Sequence, residues 1–325
     1  MREVKNIIFR AVFAATVCLR ATACKINTEE VDNTIRFGTQ TITRAAISTQ
    51  QDLEQASQTR GEHIGIYGTV RNALNPTPVE IISNEPLYFD GTDWVYDNTR
   101  YWTPGANHEF VAIYPYSATD YTWNAETGTI TRNNITLGVA NNTDYMWAAS
   151  SRNLATSPDT TTPVLLEMHH ACALLEFWFV NASSHDVSKI NDISIENLLY
   201  KGGFTCSKDG TSTLTVSDER VPYTSGIYTG NLTQTNIPVD LTKRYNLFDN
   251  AGALVVMPQL IEGAGIRFNL RISGGEISTF DLSQMSSVGK WEAGNKYVYT
   301  IYLTTTEITF EVRVLDWVDD EVELL

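Results

Sequence analysis

Residues 164–180 read VLLEMHHACALLEFWFV, a mostly apolar run in a chain that is otherwise polar and rich in turn formers. From Ala171 onward both alternating faces are apolar apart from Glu176. A run this short and this hydrophobic suits a strand buried on both sides, although periodicity alone also fits a buried helix. The segments around it favour the strand, because they alternate with a period of two and are separated by turn residues at the spacing of β-sandwiches. The stretch is therefore expected to be the central strand that opens a second β domain.

Downstream, strands are expected at Ile190–Leu199, Gly202–Cys206, Thr213–Val216 and Ala253–Gln259, followed by a hairpin of Ile266–Ser273 with Glu276–Leu282. Gly274 and Gly275 supply the positive φ that such a two-residue turn needs. Tyr297, Tyr299, Ile301 and Leu303, then Ile308, Phe310, Val312 and Val314, each mark a strand with one buried face. Upstream, Ile64–Val70, Ile81–Ile82, Glu85–Phe89, Trp94–Tyr96 and Phe110–Tyr116 read as strands, with Gln51–Gly61 a short helix or loop. Tyr121–Asn124 and Thr129–Thr131 flank a hairpin turn at Ala125–Gly128. The Ser-, Thr- and Pro-rich loop Ser150–Pro163 is where one domain is expected to give way to the next.

With 325 residues, 42% of them hydrophobic and 19% charged, the chain has a globular composition and enough length for two domains. A formal net charge of -15 argues against nucleic acid or an anionic membrane surface as a partner, since both repel it. The first residues, MREVKNIIFRAVFAATVCLRATAC, combine early positive charge, an apolar region and small residues before Cys24, the pattern of a secretory signal. Small residues directly before a cysteine also resemble a lipobox, which makes Cys24 a candidate lipidation site; the other reading is an ordinary signal peptidase site after Ala23. Beyond that segment Cys172 and Cys206 remain, and buried free thiols are expected rather than a disulfide.

No G-x-S-x-G, H-E-x-x-H, phosphate-binding loop or dinucleotide fingerprint is present, and neither catalytic residues nor a cofactor are assigned. His170 and Cys172 are of zinc-ligand type, but on a strand His169 and His170 point to opposite faces, so no metal site is assigned either. Asp90, Asp93 and Asp97 lie beside Gly91, where carboxylates usually cap turns. The aromatic side chains Trp94, Tyr96, Tyr101, Trp102, Tyr114, Tyr116, Trp123 and Trp147 leave a choice between core packing and a platform for sugar rings.

Several phrases occur in an order that resembles the fimbrillin family, the subunits of type V pili and their relatives in Gram-negative gut and oral bacteria. They are the small residues before Cys24, ITRAA at 42–46, YWTPGANHEFVAIYPY at 101–116, TDYMWAAS at 143–150, LLEMHHACALLEFWF at 165–179, LVVMPQ at 254–259, WEAGNKYVYTIYL at 291–303 and VRVLDW at 312–317. The resemblance implies an all-β chain of two tandem transthyretin-like Greek-key β-sandwich domains. The expected division is a lipoprotein-type signal over 1–24, a cleavable strand segment over 25–44, an N-terminal sandwich over 45–160 and a C-terminal sandwich over 161–325. It further implies an outer-membrane lipoprotein cleaved between Arg44 and Ala45 by an arginine-specific protease, and assembly into cell-surface fimbriae by strand exchange with other fimbrial subunits. The even-numbered apolar register of Ile308–Val314 continues through Val318, Val322 and Leu324, the candidate inserting side chains of a donor strand. A surface glycan-binding β-sandwich lipoprotein is the alternative.

Overall fold

The computed structural model describes residues 33–41, 50–222, 225–285 and 288–317. Within them helix is confined to α1 (Gln50–Gln55), the π-type turn Ala56–Arg60 and a single turn at Leu282–Met285. In chain order the strands begin with β1 (Phe37–Thr41), β2 (Ile64–Arg71), β3 (Val79–Phe89), β4 (Trp94–Val95), β5 (Asn107–Tyr114), β6 (Tyr121–Asn124), β7 (Thr129–Thr136), β8 (Met146–Asn153) and β9 (Val164–His170). There follow β10 (Ala173–Ala182), β11 (Ile190–Glu196), β12 (Lys201–Ser207), β13 (Ser212–Val216), β14 (Asp240–Asn246), β15 (Leu254–Val256) and β16 (Gln259–Leu260). The last are β17 (Arg267–Ile272), β18 (Ile277–Asp281), β19 (Lys290–Trp291), β20 (Asn295–Thr304) and β21 (Ile308–Asp316).

Seven strands close into a barrel in the order β1-β4-β3-β2-β5-β8-β9. Strict alternation along its wall divides the side chains between two cores. On β5, Phe110, Ala112 and Tyr114 point into the barrel, while Val111 and Ile113 join the second core outside it. On β8, Met146 and Ala148 face in and Trp147 faces out. Both faces of this wall are therefore covered, which is why the Ile64–Tyr67 stretch of β2 is buried without a break.

The second core lies between the sheet β14-β10-β20-β21, with β15 also on β10, and the sheet β11-β17-β18. Phe177 of β10 stacks on Phe268 of β17 and on Tyr299 of β20, each with ring centroids 4.8 Å apart. The hairpin β6–β7 leaves the barrel and pairs with β12, carrying Ile130 and Ile135 into the second core. An ion-pair network ties the same two regions together. Glu109 on β5 accepts from Arg71 at 2.7 Å and from Lys208, just beyond β12, at 2.8 Å.

The chain is all-β, as expected, but the stretch 164–180 is not one strand. It is β9 and β10, separated by a turn at Ala171–Cys172, and the two belong to different sheets. The physical reason is visible in the burial. In β9, Val164, Leu166 and Met168 are buried and Leu165 and Glu167 exposed, the signature of a barrel wall with one face in water, whereas β10 is covered on both faces. The chain thus passes from the barrel to the sheet β14-β10-β20-β21 at Ala171–Cys172. Ile81–Ile82 and Glu85–Phe89, expected as separate strands, form the single strand β3, which continues through Asn84 at φ 47°. The Tyr67 hydroxyl donates to the Asn84 side chain at 2.7 Å and holds that left-handed residue in place.

Replacing Phe177 by alanine removes a fully buried ring at the centre of the second core, and urea unfolding should show a loss of about 3–5 kcal/mol. A loss below about 1 kcal/mol would contradict the assignment of this ring to the core.

Candidate functional site

The barrel is closed by a strand from outside its compact sequence range. β1 runs parallel to β9, with Phe37 opposite Val164, Thr39 opposite Leu166 and Thr41 opposite Met168. On its other side it meets β4 through Phe37 and Trp94. Just before β1 the chain continues the pairing: Ile35 N–H donates to the Arg100 carbonyl at 2.8 Å, and Trp102 N–H donates to the Asn33 carbonyl at 3.0 Å.

Alternation decides what β1 contributes. Ile35, Phe37 and Thr39 are buried, whereas Arg36 is exposed. The Phe37 ring meets Phe110 edge-on at 5.2 Å and Tyr96 at 5.6 Å. Phe110 in turn needs Gly68, because a Cβ there would come within 2.9 Å of its ring. Burying the Ile35 and Phe37 side chains is worth about 3–6 kcal/mol in all. Thr39 adds little, since its hydroxyl is buried with no hydrogen-bond partner among the described residues.

Three polar clamps hold the segment from the outside. The Tyr96 hydroxyl donates to the Ile35 carbonyl at 2.9 Å and accepts from Arg100 N–H at 3.1 Å. Arg36 donates to the Thr161 carbonyl at 2.7 Å. Arg152 lies with its guanidinium 4.8 Å from the Trp102 ring and donates to the carbonyls of Asp159, Thr162 and Pro163, fixing the loop that Arg36 grips. Asp159 stiffens that loop through hydrogen bonds from Thr161 and Thr162, which hold its carboxyl below the usual carboxylate range, those of Thr162 most strongly. Under Trp102 lies His108, whose Nε2 accepts from Thr103 N–H at 3.1 Å. Burial keeps this imidazole neutral by lowering its pKa to about 4.

Ile35 and Phe37 are the anchors of the segment that includes β1, and Arg36 contributes the grip on Thr161. Cys24, Arg44, Ala45, Val318, Val322 and Leu324 lie outside the described residues. His170 and His169 do point to opposite sides: His170 Nδ1 lies 2.8 Å from Asp144 Oδ1 under the stacked Trp317 ring, and His169 packs on Trp147. Cys172 and Cys206 are buried free thiols, as expected, and burial pushes both upward in pKa, Cys206 to about 12. Trp94, Trp102, Tyr114 and Trp147 are buried in the two cores, and of the eight aromatic residues considered as a sugar platform Tyr101 alone is largely exposed, at 63%. The clamps from Tyr96, Arg152 and Thr161 had no local signal, because 61 and 125 residues separate Tyr96 and Thr161 from the segment they hold.

A family model described as Fimbrillin-like matches residues 43–317. Similar solved structures include a fimbrial protein from Bacteroides vulgatus ATCC 8482, with a TM-score of 0.59 at 17% identity over 87% of this chain and 99% of that one. Two proteins proposed to act in cell adhesion are also similar. The one from Bacteroides ovatus ATCC 8483 has a TM-score of 0.56 at 15% identity over 89% of this chain and 98% of that one. The one from Bacteroides uniformis ATCC 8492 has a TM-score of 0.55 at 16% identity over 88% and 99%. At these identities the likeness is one of fold. No curated protein sequence matches the chain.

Phe37→Ala should lower stability to urea by about 3–5 kcal/mol and open the barrel seam first, seen as faster amide exchange in β4 and β9 than in β10. His108 is neutral in the folded chain at a pH where the unfolded chain, with an ordinary imidazole pKa of about 6.5, already binds a proton. Stability should therefore fall as pH drops from about 6.5 to about 4. His108→Gln, which keeps an acceptor for Thr103 N–H, should flatten that part of a plot of Tm against pH.

Proposed function

The chain belongs to the fimbrillin-like family, and we propose that it is a structural or adhesive subunit of cell-surface fimbriae that assembles by giving up β1 for a strand of another subunit. One observation carries this reading: the segment 35–41, which includes β1 and has two large buried side chains, closes an otherwise complete barrel. Such a strand is seated firmly enough to protect the precursor, yet few contacts are lost when it leaves. Its departure would uncover a slot lined by Trp94, Phe110, Leu166 and Met168 and leave β4 and β9 with unpaired edges. An incoming strand satisfies both, since its main chain supplies hydrogen bonds and its alternate side chains fill the slot.

The preceding segment fits a route to that state. Export on the 1–24 signal, with acylation at Cys24, would hold the precursor at the outer membrane with β1 in place. Cleavage between Arg44 and Ala45 by an arginine-specific protease would cut the tether and free β1 in one step. The replacement strand would come from the C-terminal part of another subunit, where β21 ends at Asp316 and the apolar register runs on through Val318, Val322 and Leu324. The chain itself carries out no chemical step in this reading, and its work is assembly and adhesion. The burial of Trp94, Trp102, Tyr114 and Trp147 favours it over a sugar-ring platform.

Treating the purified chain with an arginine-specific protease and reading the new N-terminus by mass spectrometry should give Ala45 first, and the cleaved protein should then form oligomers as the 25–44 fragment is released. Cutting inside the barrel strands before Arg44, or a cleaved protein that stays monomeric after losing the fragment, would contradict the proposal.

A further inference from the structure

We infer that Lys208 and Asn107 become joined by an intramolecular amide bond, formed by the chain on itself at Glu109, which ties the barrel covalently to the second sandwich. The inference is independent of strand exchange. Asn107 and Glu109 stand two apart on β5 and so share a face, the one that also carries Val111 and Ile113 into the second core. Arg71 is directly opposite Asn107 in the β2–β5 ladder. Lys208 arrives from the turn after β12, 99 residues away in sequence from the carboxylate it meets.

Glu109 is placed between an amine and a carboxamide. Its Oε2 accepts from Lys208 Nζ at 2.8 Å, while Oε1 accepts from Asn107 Nδ2 at 3.3 Å and from Arg71 at 2.7 Å. The Lys208 and Glu109 side chains are only 12% and 9% exposed, so both charges are held largely out of water. Desolvation offsets most of the attraction in such a pair. The lysine is nevertheless closely positioned. Its backbone N–H donates to the Gly128 carbonyl at 2.9 Å, and its stem lies across Gly128, where a Cβ would come within 2.7 Å of Lys208 Cγ. Gly128 thus does more than supply the positive φ of its turn, because it leaves the space along which the stem reaches Glu109.

These four groups are the parts of an acyl transfer: a nucleophile, an acyl group, a proton carrier that touches both, and a cation beside the carbonyl. The structure shows them before the bond forms. Glu109 takes a proton from the Lys208 ammonium, and the freed amine attacks Asn107 Cγ, its electron pair making the new C–N bond while the carbonyl pair moves onto Oδ1. Arg71, beside the carboxamide, stabilises that oxyanion. On collapse the Cγ–Nδ2 bond breaks, and Glu109 passes to Nδ2, in turn, the two protons that Nζ has lost. The nitrogen of Asn107 leaves as ammonium, the carboxylate is regenerated, and nothing is oxidised or reduced. Holding amine and carboxamide on one carboxylate supplies an effective concentration on the order of 10⁵ M or more, which an unactivated amide needs. In a fimbrial subunit the bond would join β5 to the turn after β12 and carry tension between the two cores that packing would otherwise bear alone.

The test uses the full chain, kept folded, then unfolded and digested with trypsin for mass spectrometry. Trypsin does not cut after an acylated lysine, so the bond should appear as residues 101–132 joined to residues 202–220, lighter than the two together by one ammonia. Lys208→Arg, which keeps a cation on Glu109 but has no amine to acylate, and Asn107→Ala should both abolish the joined species. Glu109→Gln, nearly the same shape without a base, should slow its appearance after refolding by about 100-fold. Wild-type chain that still yields residues 202–208 as a free peptide after prolonged incubation in the folded state would overturn the inference, whether or not any variant folds. So would a joined species lighter by one water, which places the bond at Glu109 itself, or one that persists in Asn107→Ala.

Discussion

The structure depends on one pairing, the parallel ladder between β1 and β9. A sheet closed on itself has no edge, and this barrel is closed only because five residues from the N-terminal side lie between β4 and β9. Take the ladder away and two edges and an aromatic-lined slot meet water together. The backbone groups and the apolar side chains thus set the same condition, that the position be occupied. Neither specifies by which chain.

The barrel is not an independent body beside the second sandwich. The wall β2-β5-β8 serves both cores, with Phe110 and Ala112 on one side and Val111 and Ile113 on the other. Because a β-strand sends successive side chains to opposite faces, a shift of β5 by one residue would exchange the linings of both cores at once. Glu109 adds a polar tie at the same wall, meeting Arg71 within the barrel and Lys208 beyond it. A buried carboxylate with two cationic partners contributes more to fixing this geometry than to net stability, since desolvation offsets much of the attraction. The seam at β1 stands apart from this cross-bracing and is held by Ile35, Phe37 and the three polar clamps.

How much of this was legible in the sequence varies by element and for physical reasons. Period-two alternation marked β20 and β21 correctly, and turn chemistry marked the hairpins at Gly128 and Gly274, because both signals are local, although the positive φ of the second turn falls on Ser273 and Gly274 rather than on Gly274 and Gly275. The same alternation was present in Val164, Leu166 and Met168 but was masked by the fully apolar continuation after Ala171, so two strands read as one. Ile35 and Phe37, two apolar residues in an otherwise polar stretch, take the anchoring place. What lines their slot was not legible. Trp94, Tyr96, Phe110 and Leu166 come from four separate strands or loops, and nothing in the local pattern of any of them names the others. The missing partner of the Thr39 hydroxyl is likewise a property of its surroundings, invisible in a residue that is otherwise an ordinary strand former.

The parallel ladder has a consequence for the order of synthesis. Residues 33–41 leave the ribosome, and cross any membrane, ahead of every other barrel strand, yet their partner Val164–Met168 is the last of those strands to emerge. Through that interval β1 has no ladder to join. The rest of the wall, by contrast, zips together through neighbours close in sequence, β2 with β3 and β5 with β8. The first barrel strand made is thus among the last to be locked, and a nascent chain carries its barrel open until Val164–Met168 has emerged.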